Sequence, residues 1–367
     1  MPCIIIYGAR GFMALKDVIG QGRAVGILLR TLRRRTPSAY LFAGESGIGK
    51  RFTAVNLAKA INCLKDRDEM ADPAGGSERV PLTDMRQEEQ EDSCDSCVSC
   101  LKIDSGTHPD VIMISPDKGE IRVSEIREVE DALSLMPHEG RKKVVIIDEA
   151  DTMNQSAANA FLKTLEEPPE DSLIILIASN PDRLPETIRS RCSRLLFTPL
   201  SGAACGEVIR LVDRREAASR CATDKRAVTR TSGADSDLPA RIRLSMGRPG
   251  LALSSDLLKE QERFVGILRS VTGGQHETWA DRDEMERWLD MAVIFLRDVA
   301  VLQLTHDEGM LFSPDIRGLS EAGARADIRA LVESFDALTR LKRKLDFNLN
   351  KGITWNYTAS VLRNIVS

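Results

Sequence analysis

Along the first half of the chain, short runs that are apolar throughout alternate with stretches where apolar residues return every three or four positions. Leu41-Phe42-Ala43, Val111-Ile112-Met113-Ile114, Val144-Val145-Ile146-Ile147 and Leu173 to Ala178 have the first pattern, that of strands buried on both faces of a parallel sheet. The second pattern predicts helices. One carries Val25, Leu28, Leu29 and Leu32 and closes on Arg33-Arg34-Arg35, where cations suit a helix C-terminus. Others carry Phe52, Val55, Ala58 and Ile61, then Ile126, Val129, Leu133 and Met136 behind a Ser124 cap, then Ser156 to Glu170, stopped by Pro168-Pro169. Strands alternating with helices predict an α/β domain, a parallel sheet between helical layers. Leu184-Pro185-Glu186-Thr187 begins a short helix that would present Ser190-Arg191-Cys192 outward. From Ser201 to Ser255 the pattern is helical and basic, with Arg210, Arg214, Arg215, Arg220 and Arg226; from Asp256 onward it is helical throughout. Leu64 to Ser93 has no apolar period, is acidic, and is broken by Pro73, Gly75, Gly76 and Pro81, which predicts a disordered, solvated loop.

Composition narrows the function. A length of 367 residues calls for two or three domains, and a net charge of −4 provides no global field for nucleic acid. Aromatics at 4% argue against base-stacking platforms. The N-terminal apolar run is too short for a signal peptide and no segment reaches the length of a membrane span, so a cytoplasmic protein without membrane contact is expected. In that compartment the eight cysteines read as metal ligands or plain thiols.

The strongest chemical signal lies between Tyr40 and Thr53. A strand runs into Gly44-Glu45-Ser46-Gly47-Ile48-Gly49-Lys50 and a helix follows, the arrangement of a phosphate-binding loop. Backbone amides of Gly44, Ser46, Gly47, Ile48 and Gly49 would turn to the anion and Lys50 would reach its terminal phosphates, so ATP is the expected ligand. After the lysine this loop type carries a hydroxyl that ligates Mg²⁺, and here Arg51 stands in its place. Thr53 cannot substitute, since two residues along a helix point roughly 200° away. Nucleotide and Mg²⁺ binding are therefore expected to be weakened. Asp148 and Glu149 close a buried strand where nucleotides bind; Asp148 would hold Mg²⁺ through water and Glu149 would polarise an attacking water. Asn180, at the end of another strand, would contact a γ-phosphate or be an ordinary turn residue.

Cys94, Cys97 and Cys100 stand at metal-ligand spacing, with Cys63 at the end of the phosphate-loop helix as fourth ligand and His108 as its substitute. Four thiolates fit a closed tetrahedral Zn²⁺ site of structural type. An iron–sulfur cluster and unligated thiols are the alternatives; the ferredoxin run needs a Cys-Pro where Leu101-Lys102-Ile103-Asp104 stands.

Taken together, these residues resemble the bacterial DNA polymerase III clamp-loader family of AAA+ proteins, which includes gamma/tau and delta-prime subunits. The matches are Asp17-Val18-Ile19-Gly20-Gln21, the phosphate loop, the cysteine cluster with Ser105-Gly106-Thr107-His108-Pro109-Asp110, Ile147-Asp148-Glu149-Ala150-Asp151, Asn159 to Pro169 and Ser190-Arg191-Cys192. The resemblance implies an AAA+ P-loop domain over 1–199, with a zinc module at about 63–108 and the acidic loop at about 64–93. A helical lid at 200–255 and an all-α collar and oligomerisation domain at 256–367 would follow. It also implies a hetero-oligomer with gamma/tau and delta subunits that loads a sliding clamp onto primed DNA in replication. Arg191 would be an arginine finger acting on a neighbour's nucleotide, or a surface arginine paired with a carboxylate. In that family Arg51 points to a delta-prime-like assembly role with little or no hydrolysis of its own, since a cation there adds like charge beside the metal. The intact Asp148-Glu149 pair favours the alternative, a gamma/tau-like motor ATPase. A metal or redox switch built on the cysteines is a third reading.

Overall fold

The computed structural model describes residues 14–34, 36–65, 92–116, 119–223, 234–254, 256–272, 279, 282–307, 310–312, 327–344 and 350–366. The chain divides into two compact units. Residues 1–231 and 247–251 form the first; 232–246 and 252–367 form the second.

The first unit holds α1 (Gly22–Arg33), β1 (Ala39–Ala43), α2 (Lys50–Asn62), α3 (Val98–Asp104), β2 (Val111–Ile114), α4 (Val123–Leu133) and β3 (Lys143–Ile147). It continues through α5 (Gln155–Glu166), β4 (Ser172–Ala178), α6 (Glu186–Arg189), β5 (Ser193–Leu196) and α7 (Gly202–Thr223). The five described strands are all parallel, in the order β2-β3-β4-β1-β5. β1 runs beside β4 from Ala39↔Ile174 to Ala43↔Ala178, and beside β5 from Tyr40↔Ser193 to Ala43↔Leu196. The α/β expectation holds: three of the apolar runs became the central strands β1, β3 and β4, covered on both faces, while the fourth became the half-buried edge strand β2. One core cluster joins Leu41, Val145, Ile147, Ile174 and Leu176 of the sheet to Ile126, Val129 and Leu133 of α4, Phe161 and Leu165 of α5, and Ile188 of α6.

Four details differ from the sequence expectation. Strand β5 was not foreseen: it is an edge strand with Leu195 alone buried, so it lacks the apolar run. Ser124 does not cap α4; the N-cap is Arg122, whose N–H the Glu125 carboxylate accepts at 2.7 Å, and the helix starts two residues earlier than a Ser124 cap would place it. Met136 lies past the end of α4 and is 80% exposed, outside the stripe. Most of the acidic loop, 66–91, lies outside the described residues, but its last residues are held: the Asp92 carboxylate accepts from Leu15 N–H at 2.8 Å and Lys16 N–H at 2.6 Å, and Ser93 is buried.

The second unit contains α8 (Ala234–Ser245), α10 (Leu257–Thr272), α11 (Arg282–Thr305), α12 (Ile328–Arg343) and α13 (Lys351–Val366); a short helix, α9 (Pro249–Ser254), spans the unit boundary in sequence. Its core gathers Trp279, Trp288 and Trp355 with ring centroids 5.0–5.8 Å apart, and Phe264 and Phe295 pack beside them. The chain's three tryptophans are thus core residues. Asn350 Oδ1 accepts the Ile353 N–H at 3.1 Å and caps α13. Among the described residues no helix is long and apolar enough to cross a membrane.

Candidate functional site

A parallel sheet has two chemically distinct edges, and the singled-out residues sort between them. The carboxyl edge receives the loop after β1. Gly44, Gly47 and Gly49 have φ of +151°, +79° and +96°, so the loop needs glycine to make its turns. Ile48 is buried, and Gln21 braces the loop from below by donating to the carbonyls of Ile48 at 3.1 Å and Thr198 at 2.8 Å. The glutamine of the Asp17 to Gln21 motif is therefore a strut for the phosphate loop. Ser46 is exposed at the loop's tip.

Lys50 starts α2 and is buried. Its ammonium donates to the carbonyls of Gly44 and Glu45 and lies 3.4 Å from Ser179 Oγ at the end of β4. Burial pulls its pKa down to about 8 against the opposing charges of Asp148, Asp151, Glu45 and Glu149. Asp148 and Glu149 follow β3 at the same edge. Glu149 holds a left-handed backbone, φ +50°, rare for a non-glycine residue and typical of functional turns. Lost hydration, with the charges of Asp148 and Asp151, pushes its carboxyl above the ordinary value, against Arg51 and Lys50. Asn180 is exposed beside Ser179; both backbone N–H groups are pinned by the Asp151 carboxylate, at 2.9 and 3.3 Å.

The metal corner is different. Arg51 donates to Asp148 Oδ2 at 3.2 Å, so a guanidinium stands against the carboxylate meant to serve Mg²⁺. With Asp148 already paired to a fixed cation and no hydroxyl after the lysine, this corner does not fit Mg²⁺. The end of the segment expected to form the lid also reaches this edge. Gly250 N–H donates to Gly47 O at 2.8 Å, and a Cβ at Gly250 would lie 2.8 Å from Gly47 Cα. Arg248, buried, sits with Nε 3.7 Å from the Glu45 carboxylate. Only the two glycines flanking Arg248-Pro249 hinted at such close backbone approach.

The other edge of the sheet carries the cysteines and Arg191. α2 leaves the carboxyl end of β1 and delivers Cys63 some 20 Å away, 13 residues at about 1.5 Å each. The sulfurs of Cys63, Cys94, Cys97 and Cys100 all lie within 4.8 Å of one another. Backbone N–H groups of Leu64, Cys94, Cys97 and Cys100 point at sulfurs of the set, at 3.3–3.5 Å. Such donors suit thiolates, and the group can hold a metal. Burial raises Cys63 and Cys100, whereas Cys94 falls to about 6: burial acts upward there, but hydrogen bonds from Ser96 and Cys97 outweigh it. His108 is not a substitute ligand. It is buried apart from the sulfurs, with Nε2 3.1 Å from Ser99 Oγ and Nδ1 accepting the Asp110 N–H at 3.1 Å.

A buried ion cluster ties the cysteine loop to α2. Lys59 Nζ lies 2.6 Å from Asp95 and 3.0 Å from Asp104, and Ser93 Oγ donates to Asp95 at 2.9 Å. Asp95, between Cys94 and Cys97, has φ +58°.

Arg191 comes just after α6 and two residues before β5. β5 pairs with β1 from Tyr40↔Ser193 to Ala43↔Leu196, so Arg191 is at the amino edge and the phosphate loop at the carboxyl edge. Three residues of strand, about 3.3 Å each, separate them along β5 before the two loops are added. Its guanidinium donates to Thr187 O at 2.8 Å and to Glu166 Oε1 at 2.6 Å. The neighbouring Cys192 packs against the core, and burial pushes its thiol up to about 12.

Comparison with known proteins follows from this geometry. The family described as DNA polymerase III, delta subunit, matches residues 81–201. DNA polymerase III subunit delta' of Pseudomonas aeruginosa is 30% identical over 332 residues, 87% of this chain and 89% of its own length. The Bacillus subtilis subunit delta' is 27% identical over 331 residues, 90% of this chain and 92% of its own. The Bacillus subtilis subunit tau is 32% identical over 252 residues, 68% of this chain and 40% of the longer protein.

Proposed function

The chain belongs to the delta' subunit family of DNA polymerase III, and on that premise we propose that it is a fixed assembly subunit of a clamp loader. In that role it joins gamma/tau and delta subunits in a cytoplasmic hetero-oligomer, which uses ATP to load a sliding clamp onto primed DNA. The relatives' names support a multi-subunit complex, and full-length similarity to delta' subunits favours this reading over a tau-like motor, whose similarity covers less than half of that longer protein.

One observation carries the mechanism: Arg191 and the phosphate loop lie at opposite edges of one parallel sheet. A guanidinium there is out of reach of this chain's own nucleotide and is available to one held by an adjacent subunit. Fixed positive charge beside a transferring phosphoryl group is worth about 10³–10⁵ in rate for arginine fingers. At the carboxyl edge, the loop amides and Lys50 support nucleotide binding, and the Arg51–Asp148 pair disfavours hydrolysis by this chain. The four cysteines are assigned to a structural Zn²⁺, which fits four thiolates and leaves no open position for water.

The test is Arg191→Ala in the reconstituted loader. Folding, metal content and this chain's own nucleotide binding stay as in wild type, while DNA-stimulated ATP hydrolysis and clamp loading fall. An unchanged hydrolysis rate defeats the finger assignment.

A further inference from the structure

An arginine finger works only if its planar fork is aimed before the neighbour arrives, because a long flexible side chain otherwise loses rotamer freedom on docking. The residues around Arg191 therefore matter as much as the arginine. Its backbone is fixed first: the Arg191 N–H donates to Ile188 O at 3.1 Å, closing the turn after α6. Ile188 and Leu165 belong to one buried core cluster, so the turn and the end of α5 rest on the same packed base.

Glu166 is the last residue of α5, where the helix carbonyls make a negative end and a carboxylate is disfavoured. Glu167 follows it, so the helix closes on two acids ahead of Pro168. A residue that breaks a local rule is a candidate for function. Glu166 Oε1 accepts from Arg191 Nη2 at 2.6 Å while Thr187 O accepts from Nη1 at 2.8 Å, so the guanidinium is gripped from two elements. A guanidinium has five N–H donors, and these two bonds use two of them. Its side chain remains 35% exposed, with donors left for an oxyanion. Arg189, the other cation of the turn, is committed elsewhere, to Asp182 at 2.7 Å.

We propose that Glu166 is a positioning residue that orients Arg191 toward the neighbouring subunit's nucleotide. The inference rests on the finger reading of Arg191 and adds the residue that aims it. Glu166 touches no nucleotide; it acts by holding one face of the fork so that the other face is presented.

The experiment compares wild type, Glu166→Ala, Glu166→Gln, Arg191→Ala and the Glu166→Ala/Arg191→Ala double variant in the reconstituted loader, with kcat and KM for ATP resolved. Glu166→Ala lowers kcat by about 10-fold with little change in KM, the penalty of misplacement rather than of lost binding. Glu166→Gln, which keeps an acceptor oxygen, retains most of the rate. In the Arg191→Ala background, Glu166→Ala has no further effect, whereas a merely structural role would add its own loss. The isolated Glu166→Ala chain melts close to wild type, since the pair is half exposed. If Arg191→Ala lowers kcat and Glu166→Ala does not, or raises it, the positioning role is overturned and the finger stands. If Arg191→Ala leaves kcat unchanged, the finger reading fails and takes this inference with it.

Discussion

Lys59 offers the sharpest test of how the cysteine module is joined to the sheet domain. Its side chain is 2% exposed and sits on α2 between Asp95 at 2.6 Å, itself 8% exposed, and Asp104 at 3.0 Å, which is 39% exposed. Burial acts to lower the lysine's pKa, but the two carboxylates outweigh it and the net displacement is upward, so Lys59 is charged in the folded state. Lys59→Met removes the cation and leaves the Asp95 carboxylate enclosed. Breaking a buried ion pair from one side costs about 3–5 kcal/mol. The lower end applies here, because Ser93 Oγ still donates to Asp95 and Asp104 is open to water. At about 2–4 °C per kcal/mol for a unit of this size, a loss of about 3 kcal/mol lowers the melting point by about 6–12 °C. Calorimetry reads that shift, and thiol titration in parallel shows Cys63 and Cys100, buried in wild type, becoming reactive sooner. Asp182→Ala is the control: it breaks the exposed Arg189–Asp182 pair and costs under about 1 kcal/mol. Adding Asp95→Asn to Lys59→Met restores part of the loss, since the one carboxylate left without Lys59 is then Asp104, which is open to water. A Lys59→Met chain that melts within about 2 °C of wild type, with unchanged thiol kinetics, refutes the ion cluster as the link.

Asp110 makes a second test: buried, it accepts from the N–H groups of His138, Glu139 and Gly140 at 2.7–2.8 Å. Burial opposes ionisation but those three bonds outweigh it, so its folded pKa lies below the unfolded value; its stabilisation is present above about pH 4 and is lost as pH falls through the folded pKa. Asp110→Asn keeps an oxygen for the Glu139 and Gly140 N–H groups but turns its NH2 against that of His138, and costs about 1–3 kcal/mol at neutral pH, less in acid, by denaturant titration. Metal analysis of the purified chain should give about one Zn per chain, and chelation should destabilise the first unit; iron, or freely reactive Cys63, Cys94, Cys97 and Cys100, contradicts the assignment. Arg51→Thr should make nucleotide binding respond to Mg²⁺, by titration calorimetry with and without chelator, whereas wild-type turnover near the ~1–10 s⁻¹ of ordinary enzymes would favour a motor subunit.

The central fold was legible because burial on both faces writes itself into composition: β1, β3 and β4 are fully buried and extend their apolar runs by one or two residues, while the half-buried edge strand β2 matches its own. The phosphate loop and cysteine spacing were legible because φ and ligand geometry restrict residue type. What stayed hidden depended on partners distant in sequence. Helix α2 read as amphipathic, yet Asn56, Lys59 and Asn62 are buried too. Asn62 is satisfied by Arg141 and Lys142 backbone, and Lys59 by Asp95 and Asp104, none of which a helical period can reveal. Asp92 looked like one more acid in a solvated run, and only the fold brings it to Leu15 and Lys16. Glu166 was hidden inside a motif whose helix it merely seemed to end.

The sequence left a tension between an intact Asp148-Glu149 pair and a cation where the metal-binding hydroxyl belongs. The geometry turns the two into one arrangement. Asp148, Glu149 and Asp151 crowd the carboxyl edge, and burial together with the charges of Asp148 and Asp151 raises the Glu149 carboxyl. With Lys50 alone, three carboxylates would face one ammonium, and a metal would have to supply the missing charge. Arg51, 3.2 Å from Asp148, supplies it from within the chain. The loop can then keep its shape without Mg²⁺, braced by Gln21 beneath and by Gly250 against Gly47. On the proposed assembly role, a nucleotide edge braced by its own side chains has no need to cycle with hydrolysis. Its amino edge, where Glu166 and Thr187 grip Arg191, would then offer a constant surface to the cycling neighbour that the proposed function requires.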